Sequence, residues 1–123
     1  SAFDSGVHQV VLSDTTGHAT PQSVEQRLAQ SSEFGSIQNM ACHFHNTYGM
    51  AVANVWQAWN CGIRHFDSSA GGLGGCPYAP GASGNVATEE LVYLFKNSGI
   101  MSGIDGDKLI SAAGSIKEKL RLK

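Results

Sequence analysis

Three times before residue 68, a short β-forming run ends on a polar residue and hands over to a helix-forming segment or a glycine-rich loop. That alternation limits the fold more than any other feature. GVHQVVLSD (6 to 14) is β-branched and apolar, and stops at Asp14 ahead of the loop TTGHAT. Thr20-Pro21, an N-cap followed by proline at the first helical position, predicts a helix to about Gln30. IQNMACHFH (37 to 45) alternates and reads as a second strand. Tyr48 to Cys61 reads as a helix stopped by Gly62, and Ile63 to Asp67 as a third strand. After the glycine-rich loop and a strand-like NVAT, Thr88 is expected to cap an acidic-start helix, TEELVYLFKNSG. A last helix is expected from about Asp107 to Leu120, with Leu109, Ile110, Ala113, Ile116 and Leu120 at helical spacing.

Consecutive strand–helix units predict an α/β fold with a parallel sheet. In such folds, sites are built at the C-terminal ends of the strands and in the loops that follow. Asp14, His43 with His45, and Asp67 occupy those ends. A chain of 123 residues, 41% apolar and 15% charged, is sized for a single domain spanning 1–123, with a core of its own. The formal net charge of −2, with basic residues dense only in the C-terminal tail, argues against nucleic acid as a partner. Nothing approaches the roughly 18 consecutive apolar residues of a membrane span. The N-terminus lacks the charged-then-apolar pattern of a signal peptide. Three cysteines without CxxC spacing suggest a reducing compartment rather than a disulfide framework or a cysteine zinc site. The chain opens without methionine, and a fragment is expected.

His43-Phe44-His45 is the sharpest local feature. Residues i and i+2 of a strand share a face, so two imidazoles are presented together, while Met40, Cys42 and Phe44 face the helices. Paired neutral imidazoles suit metal ligation or ordinary interior hydrogen bonding. Asp14 and Asp67 suit metal ligation, acid–base work or the organising of loop amides. His18 and His65 read as surface or hydrogen-bonded histidines, and Trp56 and Trp59 as packing. AGGLGG (70 to 75) lacks the lysine and following helix of a phosphate loop and reads as a turning loop that needs positive φ. Cys76, held among glycine and proline, reads as a reactive thiol; Cys42 and Cys61 read as core. Asn85 is by itself an ordinary turn residue.

Taken together, LSDTTGHATP, HFHNTYGMAVAN, FDSSAGGLGGCPYAPGASGN and ATEELVY resemble the C-terminal half of the hydroxymethylglutaryl-CoA lyases, within the metal-dependent TIM-barrel lyases and synthases. The related synthases share HxHN and AVAN but not the cysteine loop, and a synthase is the more distant reading. The resemblance implies the last four parallel βα units of a (β/α)8 barrel plus a C-terminal helix. It implies His43, His45 and Asn85 as ligands of a divalent cation, Mg2+ or Mn2+, with no organic cofactor. Cys76, Asp14 and His43 become catalytic candidates. The implied reaction cleaves 3-hydroxy-3-methylglutaryl-CoA to acetyl-CoA and acetoacetate, in the cytoplasm or the mitochondrial matrix.

One departure stands out. The family's Asp-Arg-Glu motif is absent: no Asp-Arg pair occurs, and the arginines are Arg27, Arg64 and Arg121. Four parallel strands also leave open edges, and a homodimer or higher oligomer is expected to close them. The alternative reading is a catalytically inactive, self-associating half-barrel able to bind divalent metal.

Overall fold

The structure, a computed structural model, describes residues 3–74 and 84–121. Three parallel strands, β1 (Val10–Asp14), β2 (Met40–Phe44) and β3 (His65–Asp67), lie side by side in chain order. Helix α1 (Pro21–Gln30) connects the first pair and α2 (Ala51–Asn60) the second; α3 (Thr88–Asn97) and α4 (Gly106–Arg121) follow β3. This is the α/β arrangement that the alternation predicts.

Register gives the sheet two unlike faces. On one, Met40, Cys42 and Phe44 are buried together with Val24 and Leu28 of α1, Val55 and Ala58 of α2, and Leu91 and Phe95 of α3. Burying each large apolar side chain of this kind stabilises the fold by about 1.5–3 kcal/mol. On the other face, Val11, Ala41 and His65 pair across the strands, and Ser13, His43 and Asp67 form the next row. Four of those six residues, Val11, Ser13, His65 and Asp67, are exposed, and Val11 keeps 44% of its surface. The helices thus cover one face and leave the imidazole-bearing face open.

Several boundaries differ from the sequence reading, some through local turns and some through contacts distant in sequence. Strand β1 begins at Val10, where pairing with Met40 starts; His8 and Gln9 are exposed ahead of it. The first residues of the expected second strand form a 3-10 turn, Ile37–Asn39, entered through Ser36, whose Oγ accepts from the Gln38 amide. Helix α2 starts three residues late because Gly49 takes φ 74° and the Asn46 side chain accepts from the Ala51 amide. The expected Thr88 cap is incorrect: Ala87 occupies the N-cap without a side-chain bond, and the Thr88 hydroxyl meets Ser68 Oγ at 2.7 Å. At the fourth strand position, two isolated bridges, His45 with Asn85 and Ser69 with Ala87, stand in place of a regular strand. The Val86 amide still bonds the Phe44 carbonyl at 3.0 Å, and Val86 is fully buried.

The α1 boundary holds, fixed by a reciprocal capping box between Thr20 and Ser23. Of the two tryptophans expected to pack, Trp59 does, 5.0 Å from Phe95 and under the Arg64 guanidinium at 3.8 Å, whereas Trp56 is exposed. No helix among the described residues is long and apolar enough to cross a membrane.

Candidate functional site

The C-terminal ends of the strands gather polar side chains on the open face. His43 sits in the row of Ser13 and Asp67, and His45 follows two residues on. Their rings stand 5.0 Å apart between centroids at 70°. His45 is buried, held within its own set of interactions, while His43 is half-buried. Asn85 pairs with His45 through an antiparallel bridge, which places both side chains on the same face.

The Asn85 carboxamide has one orientation compatible with its surroundings. Its Nδ2 donates to the Leu73 carbonyl at 2.8 Å, and its Oδ1 is buried without a hydrogen-bond partner among the described residues. An unsatisfied buried acceptor costs about 1–3 kcal/mol, so such an atom is tolerated where a ligand can use it. Asn54 carries a second orphaned Oδ1, but it lies on the buried side of α2, with its Nδ2 donated to the Ala19 carbonyl at 2.9 Å. What separates Asn85 is the company of two imidazoles. Two imidazoles and an amide oxygen fit a divalent cation with part of its shell left to other oxygen ligands. Among the described residues, no group of three His, Cys, Asp or Glu side chains could hold a metal, so the amide is needed to complete a protein set.

Asp14 is placed differently. Its pairing with Phe44 gives it the strand parity of the helix-covered face, and its two oxygens accept from the Gly17 and Ala19 amides, each at 3.1 Å. The Thr47 hydroxyl bonds the Thr16 carbonyl at 2.8 Å, and Gly17, at φ 75°, leaves no room for a Cβ against Thr47. The loop after β1 is therefore fastened to the loop after β2. His18 belongs to it, with its Nδ1 2.8 Å from Thr16 Oγ1 and its ring edge-on to Tyr48. His65 and Asp67 lie exposed on the open face with His43.

The neck of the glycine-rich loop is closed by tight backbone contact. Gly71 and Gly72 take φ 69° and 68°, and a Cβ on Gly84 would collide with the Gly72 carbonyl. The Gly71 amide donates to Glu89 Oε2 at 2.9 Å. Sequence reading missed this contact, because Glu89 reads only as an acidic residue favoured by the start of a helix. Cys76 lies outside the described residues. Cys42 is core as expected: burial, and secondarily the neighbouring Cys61, push its thiol up to about 12.

A parallel sheet covered on one face, with a paired-histidine strand end and a closed glycine neck, is the architecture of a partial βα barrel with its site at the strand ends. The HMGL-like family model matches residues 1–116, and the chain belongs to that family. A hydroxymethylglutaryl-CoA lyase of Bacillus subtilis is 47% identical over 118 residues, covering 96% of this chain and 40% of that protein. The crystal structure of the B. subtilis HMG-CoA lyase superposes with a TM-score of 0.90, again over 96% of this chain and 40% of the other. An HMG-CoA lyase from Acinetobacter baumannii, solved with coenzyme A and 3-methylmalate, matches at 43% identity and TM-score 0.86, covering 93% and 37%. An (R)-citramalyl-CoA lyase of Chloroflexus aurantiacus is 43% identical over 112 residues, covering 91% and 35%. The chain thus spans about two fifths of the length of the relatives it matches.

Proposed function

We propose that this chain supplies the metal-binding half of a hydroxymethylglutaryl-CoA lyase-type site, cleaving a carbon–carbon bond in a 3-hydroxyacyl-CoA. The observation that carries the reading is the grouping of His43, His45 and the Asn85 Oδ1, unpartnered among the described residues, on one sheet face. Those three residues would hold a divalent cation, Mg2+ or Mn2+. Such a cation would supply Lewis-acid chemistry, making a substrate hydroxyl easier to deprotonate and helping to hold the substrate in place.

The chain's own residues divide the remaining work. The hydroxyl proton must be accepted, and His43 and Asp14 are the two candidate bases. Strand parity puts His43 on the face of the candidate cation site, but an imidazole that ligates the cation has no lone pair left for a proton. Asp14 keeps acceptor capacity beyond the two loop amides it takes while holding the 14–19 loop in shape. The departing enolate must then be protonated, a step assigned to the Cys76 thiol by the resemblance of its loop. The acyl-CoA substrate is supported by the coenzyme A complex of the A. baumannii relative.

The second reading, a self-associating half-barrel without activity, draws on the arginines. Arg64 is committed to the Trp59 ring and to the carbonyls of Trp59 and Ile63. No Asp-Arg pair occurs to place a cation beside the enolate oxygen. A missing preorganised charge of that kind costs about a hundredfold or more in rate. Acetoacetate release from hydroxymethylglutaryl-CoA with Mg2+ or Mn2+, by this chain alone and after addition of an Asp-Arg-Glu-bearing segment of a relative, separates the two. The lyase reading expects activity that rises sharply on addition and falls with Cys76→Ala far more than metal affinity does. No turnover in any combination would leave the inactive reading.

A further inference from the structure

We propose that Glu89 is a positioning residue that fixes the Asn85 carboxamide with its oxygen presented to the histidine face. The inference rests on the metal reading of Asn85 and adds how that ligand is aimed. An asparagine amide can flip, exchanging a donor for an acceptor at nearly no steric cost, so a site that needs the oxygen must hold the nitrogen elsewhere. Here the nitrogen is held by the Leu73 carbonyl at 2.8 Å. Leu73 is not part of a regular element; it leaves the short 3-10 turn Ala70–Gly72, whose own glycines sit at positive φ. The direction of the Leu73 carbonyl therefore depends on what anchors that turn.

Glu89 is the side chain that anchors it from outside. Its Oε2 accepts the Gly71 amide at 2.9 Å across 18 residues of sequence, a charge-assisted bond at a half-buried position. Backbone bonds also fix the start of the turn: the Gly72 and Thr88 amides donate to the Ser69 carbonyl at 3.0 and 2.9 Å, and the Ser69 amide donates to the Val86 carbonyl at 3.1 Å. The aliphatic part of Lys117, from α4, lies against Gly71, where a Cβ would meet Lys117 Cε at 2.6 Å. A carboxylate in the first turn of α3 is favoured by the helix dipole wherever it points. The Gly71 bond gives this one a direction, linking Glu89, Gly71, the Leu73 carbonyl and Asn85 Nδ2 in series.

The test compares wild type, E89A and E89Q in the 123-residue chain with three readouts. These are Mn2+ affinity by electron paramagnetic resonance, the Asn85 side-chain amide protons by NMR, and hydrogen exchange at the Gly71 amide. Losing one charge-assisted bond in the series predicts roughly tenfold weaker Mn2+ binding in E89A, faster Gly71 exchange and averaged Asn85 amide protons. E89Q keeps an acceptor oxygen and is expected within about threefold of wild type on every readout. Matched circular dichroism melts separate this from general unfolding. An E89A chain with wild-type Asn85 protons overturns the proposal, and so does one with faster Gly71 exchange but unchanged Mn2+ affinity. If wild type itself binds no Mn2+, the metal reading fails, and the Asn85 protons alone decide whether Glu89 aims the amide.

Discussion

At the scale of single residues, polar side chains near strand ends do unlike work according to strand parity. Asp14 and His43 both sit near strand ends, yet the first organises amides of its own loop and the second shares the open face with His45. Asp14→Ala should orphan the Ala19 amide and leave the Gly17 amide only its 3.4 Å bond to the Asp14 carbonyl, lowering stability by about 1–3 kcal/mol, read from a denaturant midpoint. A loss below about 0.5 kcal/mol would show that the carboxylate does not order the loop. Cys42 gives a pH prediction. Its folded pKa of about 12 lies above the unfolded value, so folding is unaffected below that value. Stability then falls as pH rises from about 8.5 toward 12, because only the unfolded thiol ionises there. Cys42→Ala should flatten the alkaline part of the stability curve, and an unchanged slope would exclude Cys42 as its source.

At the scale of elements, much was legible because periodicity and capping are local. Thr20-Pro21 named the start of α1, and alternation in MACHFH separated the Met40, Cys42 and Phe44 face from the His43 and His45 face. The errors fall where tertiary contacts overrode local signals. Ile37–Asn39 continue the alternation on paper but turn, because the Ser36 hydroxyl holds the Gln38 amide and strand pairing begins only at Met40. Thr88 has the chemistry of a cap but spends its hydroxyl on Ser68, twenty residues away. Glu89 to Gly71, Asn54 to Ala19 and Thr47 to Thr16 join segments that periodicity treats as separate. The candidate ligands were legible through resemblance, whereas their geometry was not, since Asn85 declares itself only by a buried oxygen without a partner among the described residues.

At the scale of the whole molecule, the sheet is covered on one side only. Val11, His65 and Asp67 lie exposed on the open face, and among the described residues β1 and β3 are the outer strands of the sheet, with only the isolated Ser69–Ala87 bridge beyond the end of β3. Unpaired strand edges and an open face favour pairing with another segment or chain. We expect self-association at micromolar concentration, seen by light scattering as a mass of twice one chain or more; a stable monomer would remove the symmetric half-barrel from consideration. Association of that kind would enclose the His43 face and exclude water from the site, the condition under which its charges act most strongly.

The central claim is that His43, His45 and Asn85 form one divalent-metal site on this chain. Mn2+ titration of the wild-type chain beside His43→Ala, His45→Ala and Asn85→Ala, followed by electron paramagnetic resonance, tests it without requiring turnover. The account predicts one saturable site in wild type and at least a tenfold loss of affinity in each variant, about 1.4 kcal/mol or more, with folding retained. Saturable binding that survives all three substitutions, or no binding by the folded wild type, would contradict it.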